Sequence, residues 1–341
     1  MSRIWDMGKY EARPSDQDQE NNATNTQETQ MDRRTFARSL AAAASLPILS
    51  TISAPTLESQ VPPSQAPPFP LSVMLWTVFT GLPFEDRLAK VAEAGYTNVE
   101  LVGDEYRNWS AADFANANAA RKRLGIQFDA TAGMEHAGHA HGLADPEHRE
   151  AFLSELHQVL TPMETLSCPA MIVLSGNVVP GLTREAQHQS CIDSLKRAAE
   201  IIDGKQIDGH PVRLLIECID PEENPHYFLQ SAAEGIEIVR AVNHPQVQFL
   251  YDIFHEQIAE GNLIEKLDKH IDVIGLIHVA DVPGRHQPGT GEINYANIYR
   301  KLAQLNYRHK VAMEFHPTGD EVETLRLAKY GVEVGSLIVI K

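Results

Sequence analysis

Cysteine is scarce: Cys168, Cys191 and Cys218 are the only three, with no C-x-x-C pair among them. Their wide spacing and odd count argue against both a disulfide framework and a cysteine-ligated zinc site, leaving buried or idle thiols. Long apolar runs are missing too, so nothing in the sequence reads as an ordinary transmembrane helix, and no stable membrane insertion is expected. Basic residues are the minority, 29 Lys and Arg against 46 Asp and Glu, for a formal net charge of −17. Nucleic-acid binding relies on Lys and Arg displacing condensed counterions, so this balance argues against a nucleic-acid partner. After the first apolar run stands Thr77-Val78-Phe79-Thr80-Gly81, which lacks the G-x-G-x-x-G spacing of an open dinucleotide-binding sheet.

What is present falls into four stretches. Residues 1–30 are polar and nearly devoid of large aliphatic side chains, so they bury too little apolar area to offset chain entropy and are expected to be disordered. In 31–55, Arg33-Arg34 precedes a short, mildly apolar stretch, the pattern of a twin-arginine export signal with Met31 as its start. That reading places the protein in the periplasm or otherwise outside the cytoplasm. The bland alternative is a helix with a chance arginine pair in a cytoplasmic protein. Residues 56–70 contain VPPSQAPPFP and read as a proline-rich, semi-rigid linker.

From 71 to 335, β-rich apolar runs alternate with amphipathic segments, the pattern of βαβ units building a parallel sheet. The runs are 71–76, 98–102, 126–130, 170–174, 212–217, 247–252, 273–279 and 311–315. Eight is the number that closes a (β/α)8 TIM barrel, which takes about 250 residues as one domain. Between the runs, Phe84, Leu88, Val91 and Ala92 recur at helical spacing with Gly95 just beyond. Ile192, Leu195, Ala199 and Ile202 form a second stripe, and Ile298, Leu302 and Leu305 follow Asn294 as an N-cap.

In such a barrel the active site lies at the C-terminal strand ends, so the polar residues that close the apolar runs carry the chemistry. Glu217, Asp252, His278 and Glu314 stand there on the last four strands, about one βα unit apart. A lone acid at a strand end is more often a cap or salt-bridge partner than a ligand. Four in consecutive units point instead to one shared mouth. Three carboxylates and an imidazole make a hard site suited to Mn²⁺ or Mg²⁺, with Co²⁺ or Zn²⁺ also accommodated. Without a cation, acids so close would repel one another.

The segments Leu214-Leu215-Ile216-Glu217, Tyr251-Asp252-Ile253-Phe254-His255, His278-Val279-Ala280-Asp281, Gly289-Thr290-Gly291-Glu292-Ile293-Asn294-Tyr295 and Glu314-Phe315-His316-Pro317 resemble the hydroxypyruvate isomerase family of the xylose-isomerase-like barrels. The resemblance is specific over 212–318 and looser over 71–200. It implies that Glu217 and Glu314 are paired catalytic carboxylates, with Asp252 and His278 completing the metal shell. It places His255 beside the substrate oxygens, and Arg285, whose guanidinium grips a carboxylate in two places, on the substrate. It also implies proton transfer through an enediolate, interconverting hydroxypyruvate and tartronate semialdehyde. Departures stand at Cys218, where the family usually has proline, in the stretch 222–226, and at Leu276 and His278. These leave open a ketose 3-epimerase or sugar isomerase with the same metal and glutamate pair, and a non-catalytic sugar-binding barrel. The substrate is in each case a small hydroxy-keto acid or sugar, and a homo-oligomer is compatible with all of them.

Three further features have bland readings. His136, His139 and His141 could form a second metal site or a lid, though exposed loop histidines are the simpler account. Glu100 closes the second strand and reaches either a substrate hydroxyl or a salt-bridge partner inside the mouth. Trp76 and Phe79 line the pocket or belong to the core.

Overall fold

The computed structural model describes residues 67–336, so the expectations for 1–30, for 31–55 and for the linker up to residue 66 lie outside it. Eight parallel strands follow: β1 (Leu71–Met74), β2 (Asn98–Val102), β3 (Gln127–Ala132), β4 (Ala170–Leu174), β5 (Arg213–Glu217), β6 (Val247–Asp252), β7 (Ile274–Val279) and β8 (Lys310–Met313). Each pairs with its sequence neighbour, and β8 returns to β1, Val311 opposite Leu71, to close the barrel. The strands are buried almost throughout because helices cover the outer face while side chains fill the interior. That is why they read as apolar runs rather than as alternating patterns.

All eight expected strands are present, with seven edges shifted by one or two residues, three of them for evident local reasons. The first stops at Met74 because Leu75–Thr77 coils into a 3-10 turn, with Thr77 Oγ1 donating back to the Met74 carbonyl at 2.9 Å. The third begins at Gln127, since the Ile126 amide is taken by the Arg121 carbonyl as the preceding helix closes. The eighth ends at Met313: the Glu314 amide still reaches the Val279 carbonyl, but His316 turns away to Arg285.

The helices are α1 (Phe84–Glu93), α2 (Gly103–Tyr106), α3 (Ala111–Leu124), α4 (Arg149–Leu166), α5 (Arg184–Ile202), α6 (Ala232–Val242), α7 (Ile253–Ala259), α8 (Leu263–His270), α9 (Tyr295–Gln304) and α10 (Glu321–Gly335). Six of them start on a short polar side chain that satisfies an orphan amide. Ser110 and Asp113 cap α3 reciprocally, and Thr183, Ser231 and Asn294 cap α5, α6 and α9. Leu88 and Val91 of α1, Ile192 and Leu195 of α5, and Ile298 and Leu302 of α9 face the core as their spacing requires. Each such side chain contributes about 1.5–3 kcal/mol by leaving water.

Polar contacts between non-neighbouring strands cross the barrel interior. Ser72 on β1 donates to Asp129 on β3 at 2.9 Å, and His278 on β7 meets Glu100 on β2. At the mouth, the loops after β3 and β4 touch backbone to backbone. A Cβ on Gly142 would lie 2.4 Å from the Gly176 amide nitrogen, so any side chain there forces the loops apart.

Candidate metal centre

The barrel brings Glu217, Asp252, His278 and Glu314 together. One ligand atom from each lies within 4.8 Å of all the others, and all four residues are buried. Glu217 and Asp252 end β5 and β6, His278 is the penultimate residue of β7, and Glu314 stands one residue past β8. The two oxygens of Asp252 are divided between tasks. Oδ1 accepts from the Phe254 amide at 2.7 Å and caps α7, which aims Oδ2 at the cluster.

His278 shows what this donor set suits. Its Nε2 lies 2.9 Å from Glu100 Oε2; although burial opposes it, Glu314 and Glu100 hold the imidazole well above its usual range, and only a cation replacing the Nδ1 proton would leave a neutral ring that still donates to Glu100. Nδ1 is buried, stands 2.7 Å from Glu314 and 3.7 Å from Glu217, and has no aligned hydrogen-bond partner. Three carboxylates around an imidazole nitrogen fit a divalent cation of the hard or borderline kind. The charges in the cluster are mutually dependent. Burial, reinforced by Glu314 and Asp252, pushes the Glu217 carboxyl up to about 8. Burial acts the same way on Glu314, but His278 and Arg285 overcome it and hold that carboxyl well below the usual range.

A second group adjoins the first. His255 Nε2 lies 3.4 Å from Asp252, while Nδ1 is 2.6 Å from Asp220. Although burial opposes it, Asp252 and Asp220 push the His255 imidazole up to about 9. Arg285 bridges the groups: Nη2 donates to Glu314 at 2.7 Å and to Asp252 at 3.3 Å, and Nη1 donates to Glu223 at 2.7 Å. Its guanidinium lies 5.0 Å from the Phe254 ring centre and 5.5 Å from that of Trp76. The Trp76 indole donates to Glu314 Oε1 at 2.7 Å, so this half-buried aromatic orients a carboxylate of the centre.

The loop after β7 is tied to one carboxylate. Asp281 accepts from the amides of Val282 at 3.0 Å, Gly289 at 2.8 Å and Ile293 at 3.1 Å. Arg285 sits inside this loop in the left-handed region at φ 55°, a conformation that costs a non-glycine residue about 1–2 kcal/mol. The fixed loop holds it there. Gly291 is required by the same packing, because a Cβ would come within 2.0 Å of the Val282 carbonyl.

Six site residues expected from the sequence are thus neighbours: Glu217, Asp252, His278, Glu314, His255 and Arg285. Asp220 and Glu223 were not among the expectations. Their one sequence signal is Asp220-Pro221, a turn opener, and Asp220 Oδ1 indeed accepts from the Glu222 and Glu223 amides at 2.8 and 2.9 Å. Glu100 takes the salt-bridge role of its two readings. The histidine loop divides: His141 is exposed and stacks on His148 at 4.4 Å, whereas His139 is half-buried, its ring 6.0 Å from Tyr227. Exposure therefore fails as a description of His136 and His139. Among the described residues, none of His136, His139 and His141 joins a metal-competent group. Phe79 is buried at φ 53° and belongs to the core, with its amide donating to Glu321.

Comparison with known proteins agrees with this architecture. A 2-oxo-tetronate isomerase of Pectobacterium atrosepticum is 32% identical over 257 residues, covering 75% of this chain and 95% of its own. The hydroxypyruvate isomerase of Escherichia coli is 26% identical over 246 residues, 72% of this chain and 93% of its own. Among solved structures, an AP endonuclease, family 2, from Brucella melitensis superposes with a TM-score of 0.66 at 25% identity, over 75% of this chain and 97% of that one. D-psicose 3-epimerase from Clostridium cellulolyticum shares the fold, with a TM-score of 0.62 at 18% identity, over 79% of this chain and 96% of that one. The family model for the xylose isomerase-like TIM barrel matches residues 88–332, and the chain belongs to that family.

Proposed function

We propose that this chain is a metal-dependent isomerase of small 2-oxo acids that carry a hydroxyl on the neighbouring carbon. Hydroxypyruvate, converted to tartronate semialdehyde, is the simplest member. The names of the relatives support the class, since hydroxypyruvate and 2-oxo-tetronate are both 2-oxo acids. The observation that carries the reading is the placement of Glu217 and Glu314 in one buried group with Asp252 and His278.

Glu217, Asp252, His278 and Glu314 would hold the cation, which supplies Lewis-acid stabilisation of adjacent substrate oxygens. The chain's own residues do the rest. One glutamate removes a proton from C3 of hydroxypyruvate, giving an enediolate, and it or its partner returns a proton to C2 while the hydroxyl proton passes from O3 to O2. Arg285 offers a planar pair of donors to the substrate carboxylate, a geometry a lysine ammonium does not reproduce. His255, fixed by Asp220, adds a donor beside Asp252. The twin-arginine reading of 31–55 places this activity outside the cytoplasm.

The test is a turnover assay with Mn²⁺ on hydroxypyruvate, 2-oxo-tetronate and a panel of ketoses, run in deuterium oxide. Conversion of the 2-oxo acids with solvent deuterium at carbon supports the proposal. Turnover confined to ketoses, or binding without exchange, would overturn it.

A further inference from the structure

At the opposite end of the barrel from the metal centre, basic side chains gather without acidic partners. Arg213 opens β5 and Lys310 opens β8, with Arg308 and His309 just before it. Lys205 and His210 come from the connection between α5 and β5, where 206–207 and 210–211 form a two-stranded ribbon. These six residues line a cleft of about 560 Å³ that has no Asp or Glu in its wall. In a chain with 46 acidic and 29 basic residues, such a surface runs against the overall balance. None of Lys205, Arg213, Arg308 and Lys310 is within ion-pair distance of a carboxylate, whereas most other basic groups of the barrel are paired.

Asp129 and Asp208 line a smaller recess that shares His210 and Lys310 with the cleft, and Asp203, next to Gly204 of the wall, is taken by His244 at 3.3 Å. Arg213 turns one nitrogen inward, to the Gly275 carbonyl at 2.9 Å, to Gln248 Oε1 at 3.1 Å and to His309 Nδ1 at 3.3 Å. Those neutral acceptors orient the guanidinium without cancelling its charge. Burial, together with Arg213 and Lys310, pushes the His309 imidazole down to about 4, in keeping with an electropositive wall.

We propose that this cleft is a second ligand site that binds a phosphate group, free or esterified on a small metabolite, through Arg213, Arg308 and Lys310. Guanidinium groups pair with phosphate oxygens in a planar fork, and the lysine adds a point charge. The volume is that of a small-molecule site rather than of a bare ion. Arg213 and Glu217 are four residues apart along β5, roughly 13 Å, so a ligand here lies beyond reach of the reacting atoms at the mouth. The site is independent of the isomerase reading.

Thermal unfolding of the full-length protein is followed with inorganic phosphate or ribose 5-phosphate at constant ionic strength, alongside NMR titration of the His309 ring. Both readouts should respond in the wild type: the midpoint rises by roughly 5 °C at a hundredfold excess over Kd, and the imidazole titrates at higher pH. The double variant Arg308→Gln, Lys310→Gln should lose both responses. Should that variant not fold, Lys205→Gln, exposed just before the ribbon, should weaken them severalfold. A response to both probes assigns free phosphate, and a response to the ester alone assigns a phosphorylated metabolite. No response to either, or one that survives the substitutions, overturns the site.

Discussion

His278 and Glu100 reach each other across the barrel from β7 and β2, Nε2 to Oε2 at 2.9 Å, with both side chains buried. Glu100 therefore sets which imidazole nitrogen faces the three carboxylates. Replacing it weakens that choice without removing a ligand. Glu100→Gln should lower Mn²⁺ affinity by roughly 10-fold to 100-fold while leaving the fold intact. Isothermal titration measures this, and unchanged affinity would show that the pair does not position the ring.

The paired glutamates should separate chemistry from stability. At saturating Mn²⁺, Glu217→Gln and Glu314→Gln should each lower kcat by on the order of 10²-fold to 10⁴-fold, with circular dichroism unchanged. Near-normal kcat in either variant would remove that residue from the proton-transfer role.

Arg285 touches Glu223, Asp252 and Glu314 at once through two nitrogens. A single ammonium cannot span those positions, so Arg285→Lys should reduce kcat/KM by on the order of 100-fold, mainly through KM. Steady-state kinetics on a 2-oxo acid decides the matter, and an unchanged KM would take Arg285 off the substrate.

Asp129 gives a pH signature away from the mouth. Burial, with Glu100 nearby, raises its carboxyl from 3.8 to about 7. A raised folded value means that the native state binds the proton more tightly than the unfolded chain. Its contribution is complete below pH 3.8 and disappears as pH climbs through about 7, on the order of 2–4 kcal/mol in all. Asp129→Asn keeps an acceptor for Ser72 and has no charge to bury, so it should flatten stability over this window and exceed the wild type at pH 8. Denaturant midpoints across the window test this; parallel profiles would rule out Asp129 as the source.

Export is tested at Arg33-Arg34. Substituting both with lysine should leave the protein in the cytoplasm, and fractionation of expressing cells reads the result. Continued export would remove the twin-arginine assignment.

The sequence was most informative where function and regular structure coincide. Glu217, Asp252 and His278 stand out because each closes an apolar run that has to be a strand, and parallel closure then carries the strand ends to one mouth. Glu314 shares that signal although it falls just outside β8, because its amide still follows the ladder. Glu223 and His139 gave no comparable signal, since loop backbone, not periodicity, turns them inward. Asp129 reads as one polar residue in a β-rich run, and only barrel closure shows that Ser72 and Glu100 face it. The basic cleft was illegible for the same reason: its six basic residues come from two stretches, 205–213 and 308–310, that only barrel closure brings together.

The tether at Asp281 bears on any attempt to redesign this barrel. Because one carboxylate organises the whole turn around Arg285, grafting a stretch between 282 and 292 from another barrel would fail unless Asp281 and Gly291 travelled with it. The loop spanning 137–142 is pinned at both ends, the Ala137 carbonyl accepting from the Leu174 amide at 2.9 Å and Gly142 packed on Gly176, so the side chains between them offer the freer ground for altering which molecules are accepted.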